Sequence, residues 1–146
     1  MTTVSSRATD EIAALYDRWA AAIRDKDPAG ALSHYSPDIV AFDLIDPLRY
    51  EGVEAVKERL QQWFASFSGP LGYEVRDLQV SAGEDVAFSH SLNHVQATTN
   101  EGKSLDMWWR ATLCYRKVAG EWVVTHSHTS VPFDMSTGGA SLGLKP

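Results

Sequence analysis

The sequence predicts an α+β domain, with three N-terminal helices packed in a curved, mostly antiparallel sheet. Three observations carry this reading. The first half repeats apolar residues at helical spacing, the second half alternates with a period of two, and hairpin-type links separate the alternating runs. Helical stripes need a sheet face to bury against, so the order helix, helix, strand, helix, then four strands implies a sheet wrapped around helices. At 146 residues the chain fits one domain, read as residues 1–133 followed by a tail over 134–146.

Each element has its own signal. Ile12, Leu15, Tyr16, Trp19 and Ile23 make one stripe of a helix over about 10–26, with Thr9 as its cap and Asp10 and Glu11 suited to the positive end of its dipole. Asp27-Pro28 is an N-cap followed by proline at the first helical position; this opens a short second helix ending near Tyr35. Residues 39–45 read as a buried strand interrupted by an acid, Asp43, and Asp46-Pro47 as a turn. Gly52 opens a third helix with the stripe Val53, Val56, Leu60, Trp63, Phe64 and Phe67, stopping at Ser68-Gly69-Pro70. Four strands are read over 73–82, 86–97, 104–117 and 121–132, joined at Gly83-Glu84-Asp85, Thr99-Asn100-Glu101-Gly102 and Ala119-Gly120. The glycine-rich segment that closes the chain reads as a mobile tail.

Composition excludes some partners. Thirteen Lys and Arg against nineteen Asp and Glu leave a net charge of −6, which argues against a nucleic-acid footprint. No apolar run approaches the roughly 20 residues of a membrane span, and the first residues lack the apolar stretch of a secretory signal. The expectation is a soluble cytoplasmic protein without membrane or nucleic-acid partners. Cys114 is the single cysteine, so no intrachain disulfide forms, and it reads as a small buried hydrophobe.

Four stretches carry a resemblance: AIRDKDPAGALSHYSPDIVAFD, RYEGVEAVKERLQQWF, WWRATLCYRK and GEWVVTHSHTSVPF. Over roughly residues 11–133 the chain resembles the NTF2-like superfamily and, within it, the SnoaL-like and ketosteroid-isomerase-like branch. The resemblance implies a cone-shaped fold whose open end holds a small-molecule pocket, and a homodimer formed through the outer sheet face. Relatives include isomerases, cyclases, dehydratases, epoxide hydrolases, transport factors and non-catalytic association domains, so the fold does not fix the function.

Side-chain alternation nominates the polar groups of the pocket. Trp122, Val124, His126, His128 and Ser130 share one face of the last strand; Trp108, Arg110, Thr112 and Cys114 share one face of the strand before it; Phe88, His90, Leu92 and His94 group on the strand before that. If the hairpins keep register, Arg110, His126, His128 and His90 point into one concavity, where the cation needs an acid, and Asp43 is the candidate. Two readings stay open. The face with Met107, Trp109, Leu113 and Tyr115 is at least as apolar; it is taken as the outer surface against a second subunit, but if it is the core, Arg110 lies on the surface. Asp43 is either a base or only the ion-pair partner of Arg110.

His126 and His128, two residues apart on a strand and so about 7 Å apart, could share a zinc with His90 or Asp43 as third ligand. The preferred reading has no metal and no cofactor. Trp19, Trp63, Trp108 and Trp122 are read as pocket wall.

In isomerase-like relatives a carboxylate in a dry pocket moves a proton next to a carbonyl while hydrogen-bond donors hold the enolate oxygen. That base falls on Asp43 by its distance to the following glycine and on Asp46 by its Asp-Pro dipeptide; strand placement favours Asp43. The family's oxyanion-binding tyrosine falls on Trp19, and its protonated acid near Arg110 or Thr112, departures that speak against steroid isomerisation itself. The leading expectation is an isomerase, cyclase or dehydratase acting on a small carbonyl-bearing molecule, with Asp43, His126 and Arg110 as its reacting groups. Its rival is a ligand-binding or association domain without turnover.

Overall fold

Apolar spacing sets the first helix, α1 (Val4–Arg24), in a computed structural model that describes residues 4–146. Ile12, Leu15, Tyr16, Ala20 and Ile23 are its buried stripe. The helix begins before Thr9, so that residue lies inside it and is not its cap. Its C-terminal end is tied to the sheet: Arg24 Nη1 donates to the Tyr73 carbonyl at 3.1 Å and Lys26 Nζ to that of Phe67 at 3.4 Å. Asp27 caps α2 (Pro28–Ala31) by accepting from the Gly30 N–H at 3.0 Å, as read from Asp27-Pro28. That second helix is a single turn that ends at Ala31, short of the Tyr35 expected, because the chain enters β1 (Tyr35–Phe42) within four residues of its end.

A two-residue strand, β2 (Tyr50–Glu51), pairs with β1 and leads through Gly52 into α3 (Val53–Ala65). Gly52 has φ +87°, a left-handed value that glycine accepts without strain. Phe67 and Ser68-Gly69-Pro70, read as the end of α3, belong instead to β3 (Phe67–Ala82). Asn100 ends the helix by donating its side-chain N–H to the Ala65 carbonyl, and Phe67 pairs with Thr99. Pro70 is tolerated because β3 is an edge strand, where a missing N–H breaks no ladder.

Three long strands complete the sheet: β4 (Val86–Thr99), β5 (Ser104–Val118) and β6 (Glu121–Ser130). Ala119 and Gly120 both have positive φ, the signature of the type I′ turn expected between β5 and β6. The strand order is β2-β1-β6-β5-β4-β3. β1 runs parallel to β6 while every other pairing is antiparallel, so the sheet is mixed.

Two bulges bend this sheet and decide which side chains face inward. On β3, Arg76 pairs with Leu92 and Gln79 with His90, so one residue is surplus; Asp77, at φ +57°, lies in that step. On β6, Cys114 opposes His126 but Tyr115 opposes Val124, which makes Thr125 the surplus residue; its hydroxyl donates to the Cys114 carbonyl at 3.3 Å. Trp122 and Val124 therefore face the helices, and past the bulge the inward set becomes Ser127 and Thr129. His126 and His128 turn to the opposite face. Simple alternation puts Trp122, Val124 and both histidines together, and Thr125 is why they separate.

The core lies between the helices and the concave face. Ile12, Leu15 and Tyr16 pack with Ile39, Leu113, Tyr115, Trp122 and Val124, while Ala20 and Ile23 pack with Phe64, Phe67, Tyr73 and Val95. The Met107, Trp109, Leu113, Tyr115 face is thus the interior, the second of the two readings.

Candidate functional site

The helices and the concave sheet face enclose a cavity of about 490 Å³. Its wall is mostly aromatic and aliphatic. Trp19 comes from α1, Trp63 and Leu60 from α3, and Met107, Trp109 and Leu113 from β5. The rings meet edge to face, as between Trp19 and Tyr73 and between Trp63 and Trp109, an arrangement that keeps the wall rigid.

One wall is polar and hydrogen-bonded to itself. Asn93 on β4 donates its side-chain N–H groups to the Tyr73 hydroxyl at 2.6 Å and the Tyr16 hydroxyl at 3.1 Å, and its Oδ1 accepts from Ser91 Oγ at 2.8 Å. Ser89 and Tyr115 share a further hydrogen bond at 2.8 Å. Burial raises the hydroxyl pKa of Tyr16, Tyr35, Tyr73 and Tyr115, so all four are neutral donors at physiological pH. The resemblance places the family's helix tyrosine on Trp19, which has no hydroxyl; Tyr16, three residues earlier on the same stripe, carries one into the cavity.

The other polar element is Asp43, just past the end of β1. Its Oδ1 accepts from the Leu44 N–H at 2.6 Å and from Thr129 Oγ1 at 3.5 Å, and its Oδ2 lies 3.5 Å from Arg59 Nε on α3. The Arg59 side chain is 17% exposed and that of Asp43 30%. The pair is close enough for attraction yet not aligned as a hydrogen bond, and Arg59 Nε is buried without an acceptor. Asp43 stands beside Thr129, which pairs with Ala111, which pairs with Ser91. Three strand spacings, roughly 14 Å at the backbone, therefore separate the carboxylate from the hydroxyl cluster across the concave face.

Asp43, Trp19 and Trp63 line the cavity. Arg110, His90 and His128 do not: they are exposed on the convex side, where Arg110 Nε donates to Ser130 Oγ at 3.1 Å. His126 lies on that side too, with its Nδ1 2.5 Å from the Val40 carbonyl and its ring against Phe42. The grouping of Asp43, Arg110 and His126 is thus overturned by strand parity, and Arg59 takes the place beside Asp43 assigned to Arg110. Nor can the His-x-His pair recruit Asp43 for a metal; among the described residues no three His, Cys, Asp or Glu side chains are placed to hold one.

Trp108 is also convex, stacked on His94 at 4.2 Å, with the Arg76 guanidinium 4.7 Å from its ring centroid. His94 is held between Glu74 at 2.9 Å and Asp106 at 2.6 Å, and its hydrogen bond keeps the Asp106 carboxyl below its usual range. Trp122 is core, not cavity wall: it is 3% exposed, and its Nε1 donates to Glu11 Oε2 at 3.0 Å.

The site residues that alternation and charge alone do not single out still leave signals in the sequence. Arg59 lies three residues after Val56 and four before Trp63, on the helix face that meets the cavity. Ser89, Ser91, Asn93 and Val95 alternate as a small, buried set opposite the histidines that draw attention. The segment expected as a mobile tail turns back at Asp134, which accepts the Gly138 N–H and donates to the Gly139 carbonyl, both at 2.7 Å; Ala140 and Leu142 thereby join the cavity wall.

Residues 12–134 match the model of the SnoaL-like domain family. An NTF2-like protein of unknown function from Pseudomonas putida KT2440 is similar at 39% identity and a TM-score of 0.88, over 97% of this chain and 99% of that one. A protein from Novosphingobium aromaticivorans DSM 12444, provisionally named a scytalone dehydratase, shares the fold at 12% identity and a TM-score of 0.81, over the whole of both chains (100% and 100%). A ketosteroid isomerase-like protein from Erwinia carotovora atroseptica SCRI1043 shares it at 22% identity and a TM-score of 0.71, over 83% of this chain and 93% of that one. No curated protein matches the sequence. Among the described residues no helix is long and apolar enough to cross a membrane. With its one long helix and two shorter ones against a curved mixed sheet, the chain belongs to the SnoaL-like family of the NTF2-like superfamily.

Proposed function

We propose that the chain is a cofactor-independent isomerase, cyclase or dehydratase acting on a small, partly apolar, carbonyl-bearing molecule, with Asp43 as the group that moves the proton. One observation carries the reading: a carboxylate opens onto a cavity whose wall is otherwise mainly aromatic and aliphatic. Such a cavity takes up an apolar body, and a carboxylate beside it can accept a proton from carbon and return it. Across the concave face the neutral Tyr73 hydroxyl accepts from Asn93, which leaves its own hydrogen to donate to an oxygen at the far end of the ligand. The dehydratase and isomerase-like names belong to proteins under 25% identical to this chain, so they speak for the fold alone.

The test is turnover of β,γ-unsaturated ketones and β-hydroxyketones by the wild type and by Asp43→Asn. Loss of the carboxylate should lower kcat by about 10²–10⁴-fold while binding persists. Equal turnover by the variant would remove Asp43 from the chemistry. The second reading, a binding domain without turnover, is favoured by the ion pair with Arg59, which has a purely structural use. It wins if no ketone is turned over and thermal stabilisation by ligand survives Asp43→Asn.

The convex face is where we place a second copy of the chain. Phe42 and Phe88 are exposed there, at 37% and 50%. Sedimentation of the wild type should give a dimer and that of Phe88→Asp a monomer; a monomeric wild type sinks this placement.

A further inference from the structure

We infer that Arg59 is the donor that holds the reacting oxygen of the ligand, a ketone or β-dicarbonyl oxygen that becomes an enolate, at the carboxylate end of the cavity. This deepens the reading of Asp43 and rests on it.

A guanidinium carries five N–H donors and no acceptor, and burying it is costly unless those donors are used. The Arg59 side chain is largely buried, yet among the described residues it makes no hydrogen bond; Asp43 Oδ2 lies 3.5 Å from its Nε. Asp43 is not free to close that gap without loss, because its other oxygen is held by the Leu44 N–H at 2.6 Å and by Thr129. The structure therefore keeps a buried cation with spare donors beside a carboxylate, both on the cavity wall.

Nε itself is shut off from the cavity, so it is the Nη groups at the end of the Arg59 guanidinium that a carbonyl oxygen meets; accepting from them brings the carbon next to that carbonyl toward Asp43. The step then balances. The C–H bond breaks, its proton passes to the Asp43 carboxylate, and the electron pair forms the enolate double bond with the charge on the oxygen held by Arg59. Negative charge moves from one neighbour of the guanidinium to another, so the buried cation is never left unpaired. Return of the proton to a different carbon completes an isomerisation.

The test uses 4-nitrophenolate, an enolate mimic, and nitrobenzene, a neutral molecule of similar shape. Binding is followed by quenching of the tryptophans that line the cavity, in Asp43→Asn, which imitates the protonated carboxyl. That variant should bind 4-nitrophenolate at least tenfold more tightly than Asp43→Asn/Arg59→Met, while both bind nitrobenzene within twofold. Equal affinity for the phenolate would overturn the assignment. An equal loss of nitrobenzene would also overturn it, by reducing Arg59 to a packing role, and so would a failure of Asp43→Asn to bind either probe. Because no turnover is involved, a preference for the phenolate that survives alongside an absence of ketone turnover would leave Arg59 in place and remove the proposed reaction.

Discussion

Asn93 is 1% exposed, and its amide joins side chains from α1, β3 and β4. Replacing it with leucine of similar size leaves the Tyr16 and Tyr73 hydroxyls short of a partner in the interior. An unsatisfied buried polar group costs about 1–3 kcal/mol, so Asn93→Leu should lower unfolding stability by about 2–3 kcal/mol in denaturant titrations. A loss below about 0.5 kcal/mol would mean that the network contributes little. At Trp122 two losses combine: Trp122→Phe removes the hydrogen bond to Glu11 and part of a buried indole, leaving a cavity, so a loss of about 2–3 kcal/mol is expected in the same titration. Asp43 was legible in the sequence because an acid inside an apolar strand run has few explanations. Arg59 was not, since an arginine on a helix ordinarily reads as a solvated end over an apolar stem, and only its missing acceptors mark it out. The histidines attract attention by their chemistry, and chemistry carries no information about which way a strand faces.

Elements are more legible than their faces. The apolar stripes gave α1 and α3, and the turn residues gave the three hairpins. A surplus residue in a ladder leaves no trace in hydrophobic alternation when it is a Thr and the residues after it are His and Ser, so Thr125 was silent. The parallel pairing of β1 with β6 was equally silent, because it depends on contacts more than eighty positions apart in the chain, such as Val40 with His126. The C-terminal segment is the element whose role changed most. Its turn at Asp134 brings Leu142 to the cavity, so the segment acts as part of the wall. Ending the chain after Phe133 should speed both association and dissociation of the fluorescent probe 8-anilinonaphthalene-1-sulfonate severalfold in stopped flow. Unchanged rates would show that access does not pass that segment.

At the scale of the whole molecule, four neutral tyrosines from α1, β1, β3 and β5 are held in the interior, each with its pKa raised chiefly by burial. In the unfolded chain these hydroxyls ionise near pH 10. A raised folded value contributes stability that is present below the unfolded value and lost as pH rises through the folded one. The midpoint of urea unfolding should therefore hold steady up to about pH 10 and fall beyond it, more steeply than in Tyr115→Phe. A flat alkaline limb would contradict the neutral interior. The extra residue in β6 has a wider consequence. Because Thr125 alone sets the parity of the residues after it, excising it would rotate the distal half of that strand by half a turn, trading the Ser127 and Thr129 hydroxyls for the His126 and His128 imidazoles in the cavity wall. Acid–base character in this scaffold is thus adjustable by counting residues as well as by substituting them, and a single-codon deletion could give a hollow of the same shape a different proton chemistry.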